Sequence, residues 1–301
     1  MTGDQAATVV VRDLGQPETP VLGADGGWTL VEMRGDRSCV SVVAAGERTA
    51  RPIARTGRPN GVAVDAFGRC WVADTDPPAL VRIPRGGDPE VLLTEAAGAP
   101  LLFPNDLQFG PDGFLYLTDS GILLDDWAPG GALRSDWRHA RCNGRVLRID
   151  PRTLIATCLD DGLQFVNGLA FSPDGAYLYV NEMMTGDIHR YAGLQRGTFS
   201  SRETVANVII PDPEGGFRGP DGMAFSVDGR LWITVFGQGD VTVVDPDHGV
   251  IQRVRTLGAY PTNCAFGSTG ERRLYVTEAE LGQLESHDVG VDGAPIHLGE
   301  T

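Results

Sequence analysis

One pattern recurs six times along the 301 residues and limits the fold more than any other feature. The segment PNDLQFGPDGFLYLTD, from Pro104 to Asp119, has relatives in PNGVAVDAFGRCWVAD from Pro59, VNGLAFSPDGAYLYVNE from Val166, GPDGMAFSVDGRLWITVF from Gly219 and PTNCAFGSTGERRLYVTE from Pro261. ETPVLGADGGWTLVE, from Glu18, is a degraded first copy. Each copy sets a short apolar run, a D-G or related turn and a second β-rich run in order, the signature of a hairpin. Weaker strands (LVRIP, GRVLRID, DIHRYAG, DVTVVDP) follow in most copies and supply the rest of a four-stranded sheet. The equivalent residues Glu18, Asn60, Asn105, Asn167, Asp221 and Asn263 are 42, 45, 62, 54 and 42 positions apart, which is blade spacing with loop insertions. The expected fold is all-β: a six-bladed β-propeller of four-stranded antiparallel blades around a central channel, a single domain over residues 1–301. The early strand ATVVVRD and the tail APIHLGE are expected to share the last blade and close the ring.

Composition narrows the chemistry. All 25 basic residues are Arg, so lysine Schiff bases, P-loop lysines and Ser-Lys dyads are excluded. Forty acidic residues leave a net charge of −15, which disfavours nucleic acid and anionic membranes as partners. No apolar run is long enough to span a bilayer. MTGDQAATVVVRDLG lacks the features of a signal peptide. The five cysteines are scattered with no C-x-x-C pair, so a reducing, cytoplasmic setting is expected.

A radial repeat brings equivalent residues together around one axis. The first equivalent position is a carboxylate or an amide in all six copies. A second position, 14 or 15 residues later, holds Glu32, Asp74, Asp119, Glu182 and Glu278, with Val235-Phe236 in the fifth copy. Both rows are expected to crowd oxygen ligands at one mouth of the channel. Without a His or Cys pair nearby, such a set suits a hard divalent ion. The competing reading is that Asn and Asp cap tight turns with their own side chains.

The ordered motifs resemble the SMP-30/gluconolactonase/LRE-like family, from Glu18 to Glu278. PNDLQF…LYLTD, VNGLAFS…NE…HRY and GPDG…FGQG are most similar to its bacterial drug-responsive lactonase branch. The resemblance implies one divalent cation, Ca²⁺ foremost with Mg²⁺, Mn²⁺ or Zn²⁺ as alternatives, held by Glu18, Asn167 and Asp221. It implies that Asn105 faces substrate or the metal's water, and that Asp119 has an acid/base or second-metal role. Thr19 stands where the family's first-blade motif has Gly. Phe103 stands where sugar-lactonase members carry an Arg, so a small-molecule substrate less polar than a sugar lactone is expected.

The expected activity is hydrolysis of a lactone or related ester. The metal would polarise the carbonyl, and Asp119, or alternatively Asp106, would take the proton of the attacking water. Asn105, Phe103, Asn60 and Arg218 are the substrate-binding candidates, although Arg218 also reads as a surface arginine. The insertion at 120–144, with Trp127 and Trp137, could form a lid over a partly apolar pocket or a surface loop tucked onto its blade. A metal-assisted isomerase, lyase or cyclase on the same scaffold is the main alternative, and a binding-only propeller the third.

Overall fold

The computed structural model describes residues 7–193, 199–212 and 215–300. Residues 1–6, part of the stretch read as lacking a signal peptide, lie outside the described residues.

Six four-stranded antiparallel sheets form the blades. Their innermost strands are Pro17–Leu22, Pro59–Val64, Pro104–Phe109, Val166–Phe171, Gly219–Phe225 and Pro261–Phe266. Neighbouring inner strands pack against one another around the ring, and the first packs on the sixth. Burial follows radius. Val166–Phe171 is buried throughout, whereas the outermost strand of the first blade, Arg51–Arg55, is almost wholly exposed and charged at both ends. Charged, short outer strands discourage pairing with another chain's sheet. Between inner and second strands the D-G turns place glycine in the left-handed region, as at Gly113 (φ 78°) and Gly229 (φ 81°), where a Cβ would be strained.

The ring closes as expected through the early strand but not through the tail. Thr8–Val11 pairs antiparallel with Gln283–Asp288 and completes the sixth blade. The tail instead crosses the far end of the channel. Gly293 bridges Ser226, the Ala294 N–H donates to the Phe225 carbonyl, His297 bridges Phe109, and the Ala66 N–H donates to the Gly299 carbonyl. Phe109 and Phe225 end their inner strands, so the tail covers the mouth opposite the Asn/Asp row. The outermost position of the sixth sheet is already filled by Thr8–Val11, which leaves the tail free to pack over the ends of the inner strands, where Phe109 and Phe225 are buried.

Among the described residues no helix is long and apolar enough to cross a membrane. All five cysteines are free thiols.

Candidate metal centre

Each inner strand begins with the same irregularity. The ladder to the second strand shifts register between Glu18 and Val21, Pro59 and Gly61, Pro104 and Leu107, Val166 and Leu169, Pro220 and Met223, and Pro261 and Asn263. A bulge re-aims a side chain at the point where pairing breaks. Here it does so at the first-row residue of every blade. The glycine after the first-row residue in the N-G and D-G motifs serves the same approach. A Cβ at Gly168 would overlap the Asp221 carbonyl, and one at Gly222 would overlap the Asn263 side chain. Thr19, in place of that glycine, adopts φ 44°, a conformation that strains a β-branched residue.

The structure brings Glu18, Asp106, Asn167, Asp221 and Asn263 together. All are at most 7% exposed. Asn263 Nδ2 donates to Glu18 Oε1 at 3.0 Å. Burial, reinforced by the charge of Asp106, pushes Glu18 up to about 8 against hydrogen bonds from Thr262 and Asn263. Burial likewise pushes Asp106 up to about 6. Asp221 is raised well above the ordinary aspartate range, by burial first and then by Glu18 and Asp106. Among the described residues, the main groups acting on these three carboxylates are each other, amides and hydroxyls.

Three carboxylates in one desolvated space need shared protons or a cation. Asn167 Oδ1 is buried with no hydrogen-bond partner among the described residues, while its Nδ2 faces the Met183 sulfur at 3.4 Å. An unsatisfied carbonyl oxygen beside Asp221 and Glu18 is what an oxygen-ligated cation would fill, so these residues fit the implied metal. Among the described residues no three His, Cys, Asp or Glu side chains stand in ligating geometry by themselves. A donor set here would therefore have to mix carboxylate and amide oxygens.

The second row is placed differently from expectation. Its carboxylates hold the loops that lead into the inner strands. Glu32 accepts from Gly15 N at 2.7 Å, Asp74 from Gly57 N at 2.8 Å and from Arg58 N, and Glu278 from Tyr260 N at 2.8 Å. Asp119 is fully buried, accepts from Phe103 N at 2.8 Å and from Leu102 N, and forms an ion pair with Arg145 at 2.6 Å. Arg145 in turn donates to the carbonyls of Ala96 and Pro100. These bonds run to amides 16 to 18 residues away, so through them the row ties separate loops to the blades and does not merely cap its own turns.

Asn105 lies beside Asp106 and donates from Nδ2 to Ser120 Oγ at 3.0 Å. Asn60 is partly exposed, and its carbonyl accepts from the Thr19 hydroxyl at 3.3 Å. Arg218 is ion-paired to Asp212 at 2.5 Å, and its Nε is buried without a partner among the described residues.

Phe103 joins an apolar cluster with Ile122, Trp127, Cys142, Phe165 and Met183. Its ring lies 5.4 Å from Phe165, which is 4.5 Å from Trp127; Trp127 and Trp137 both lean on Phe217. The insertion is thereby packed onto the blades at the ligand end, against Met183, the neighbour of Asn167. Asn263 was visible in the repeat, but its bond to Glu18 depends on ring closure and had no local signal.

The sequence profile of the SMP-30/Gluconolactonase/LRE-like region matches residues 79–280. A gluconolactonase of Zymomonas mobilis subsp. mobilis is 30% identical over 217 residues, covering 70% of this chain and 58% of that protein. Protein strictosidine synthase-like 3 of Arabidopsis thaliana is 32% identical over 182 residues, covering 60% of this chain and 43% of that protein. The chain thus spans about half the length of these curated relatives. A solved gluconolactonase from Xanthomonas campestris superposes with a TM-score of 0.76 at 27% identity, covering 97% of this chain and 90% of that one. With the six-fold repeat, the bulged row of carboxylates and amides and the profile match over most of its length, this chain belongs to the SMP-30/gluconolactonase/LRE-like family.

Proposed function

We propose that the protein is a divalent-metal-dependent hydrolase that opens a lactone or related ester. The observation that carries this reading is the buried trio Glu18, Asp106 and Asp221 around the unsatisfied Asn167 Oδ1. Similarity to gluconolactonases supports the reaction class. Glu18, Asn167 and Asp221 would hold the cation, with Ca²⁺ the first choice for an all-oxygen site. When bound, it would supply Lewis-acid polarisation of the ester carbonyl.

The chain's own residues do the rest. Asp106 accepts the proton of the attacking water, in preference to Asp119. It lies among the proposed ligands, whereas the Asp119 carboxylate is already paired with Arg145. Asn105, anchored by Ser120, orients substrate, with Asn60 beside it. Phe103 and the packed insertion, acting as a lid, favour a small-molecule substrate less polar than a sugar lactone. Arg218, already paired with Asp212, is left to a rim role. A cytoplasmic location accords with the free thiols.

The test is a panel of alkyl- and aryl-substituted lactones and aryl esters, assayed on chelator-stripped protein with Ca²⁺ returned, beside Glu18→Gln and Asp221→Asn. Turnover that needs the cation and vanishes in both variants is expected. Cation binding with no hydrolysis of any compound would transfer support to a non-hydrolytic reaction, which the similarity to strictosidine synthase-like 3 favours.

A further inference from the structure

The three proposed ligands come from three separate sheets, so their relative positions depend on how blades register against one another. Two fully buried side chains on the second strands reach across to the next blade. Thr118 Oγ1, in the third blade, donates to the Asn167 carbonyl of the fourth at 2.6 Å and accepts from Asp106 N at 3.0 Å. Asn181 Nδ2, in the fourth blade, donates to the Asp221 carbonyl of the fifth, also at 2.6 Å. Both residues sit one position before the second-row carboxylate. The same column continues in the fifth blade, where Thr234 donates to the Thr262 carbonyl at 2.7 Å. Thr262 then donates to the Pro17 carbonyl, next to Glu18, at 2.8 Å.

We infer that Thr118 and Asn181 are positioning residues that set cation affinity by fixing the backbones of Asn167 and Asp221 from the preceding blade. The inference rests on the metal reading above. Neither side chain need touch the ion. Thr118 ties Asp106 to Asn167 through a single hydroxyl, so the amide ligand and the neighbouring carboxylate move as one. At Asn181 there is no slack, because the Gly168 Cα hydrogens already face both the Asp221 carbonyl and Asn181 Nδ2. Oxygen ligands must be held to within about 0.5 Å to bind well. Groups that only orient ligands contribute accordingly.

The experiment compares Thr118→Val, which keeps the shape and removes the hydroxyl, with Thr118→Ser, which keeps the donor; Asn181→Leu is the parallel change at the second latch. Ca²⁺ affinity is measured by titration calorimetry on chelator-stripped protein, at a temperature where thermal melts in chelator show each variant folded. Thr118→Val and Asn181→Leu are expected to weaken Ca²⁺ about 10- to 100-fold, while Thr118→Ser stays near wild type. A purely structural role would lower the melting temperature in chelator and leave affinity unchanged, and that result overturns the inference. Wild-type protein that takes up no Ca²⁺, Mg²⁺ or Mn²⁺ would instead remove the metal reading and this inference together.

Discussion

Replacing Asp119 by Asn separates a catalytic carboxylate from a structural one. In the wild type Asp119 is fully buried and paired at 2.6 Å with Arg145, whose side chain is only 9% exposed. The Asn amide keeps the shape and can still accept one loop N–H, but it leaves the guanidinium with only the Ala96 and Pro100 carbonyls. Removing one partner of a buried pair costs about 3–5 kcal/mol, because an uncompensated charge remains. With an unfolding entropy of about 2.1 cal/mol/K per residue over 301 residues, that corresponds to a fall of about 5–8 °C in melting temperature. Calorimetry in chelator measures it directly. Adding Arg145→Met should recover part of the loss, since no charge is then stranded. Cation affinity of the folded variant should stay close to wild type, because Asp119 lies outside the proposed ligand group. A variant with wild-type melting temperature and abolished turnover would refute this account and restore Asp119 as the base.

The remaining expectations follow from the same centre. Without cation, Glu18 at about 8 and Asp106 at about 6 hold protons that an unfolded chain releases near 4.5 and 3.8. Stability of stripped protein should therefore fall as pH rises from about 4 to 8, whereas saturating Ca²⁺ should flatten the profile, as thermal melts across pH would show. Cation uptake should release protons in this range, seen as a dependence of calorimetric enthalpy on buffer; no release would count against ionisation of the trio on binding. Gly168→Ala forces a methyl into the Asp221 carbonyl and should cost about 1–3 kcal/mol with weakened Ca²⁺ binding, read by melting and titration.

Much of the ring was legible because a propeller repeats its chemistry along the chain. The hairpins, the third strands and the row Glu18 to Asn263 all lie at blade spacing, and the structure puts the row's buried members around one channel. The second row was equally periodic, yet its meaning was not legible. An Asp at the end of a strand looks the same whether it faces a channel or a loop amide. The choice falls to partners such as Arg145 and Phe103 N, which only folding brings to it. The tail was misplaced for a similar reason: apolar alternation fits an outer strand as well as a strap over Phe109, until Thr8–Val11 has taken the edge.

The sequence by itself determined the number of blades, the all-arginine basicity and the oxygen-rich row, since local patterning and periodicity encode them. Folding sorted the acids into a mutually repelling buried group and a set of loop clamps. Glu18, Asp106 and Asp221 become one electrostatic unit only when sheets far apart in the chain meet in a buried space, where like charges are poorly screened.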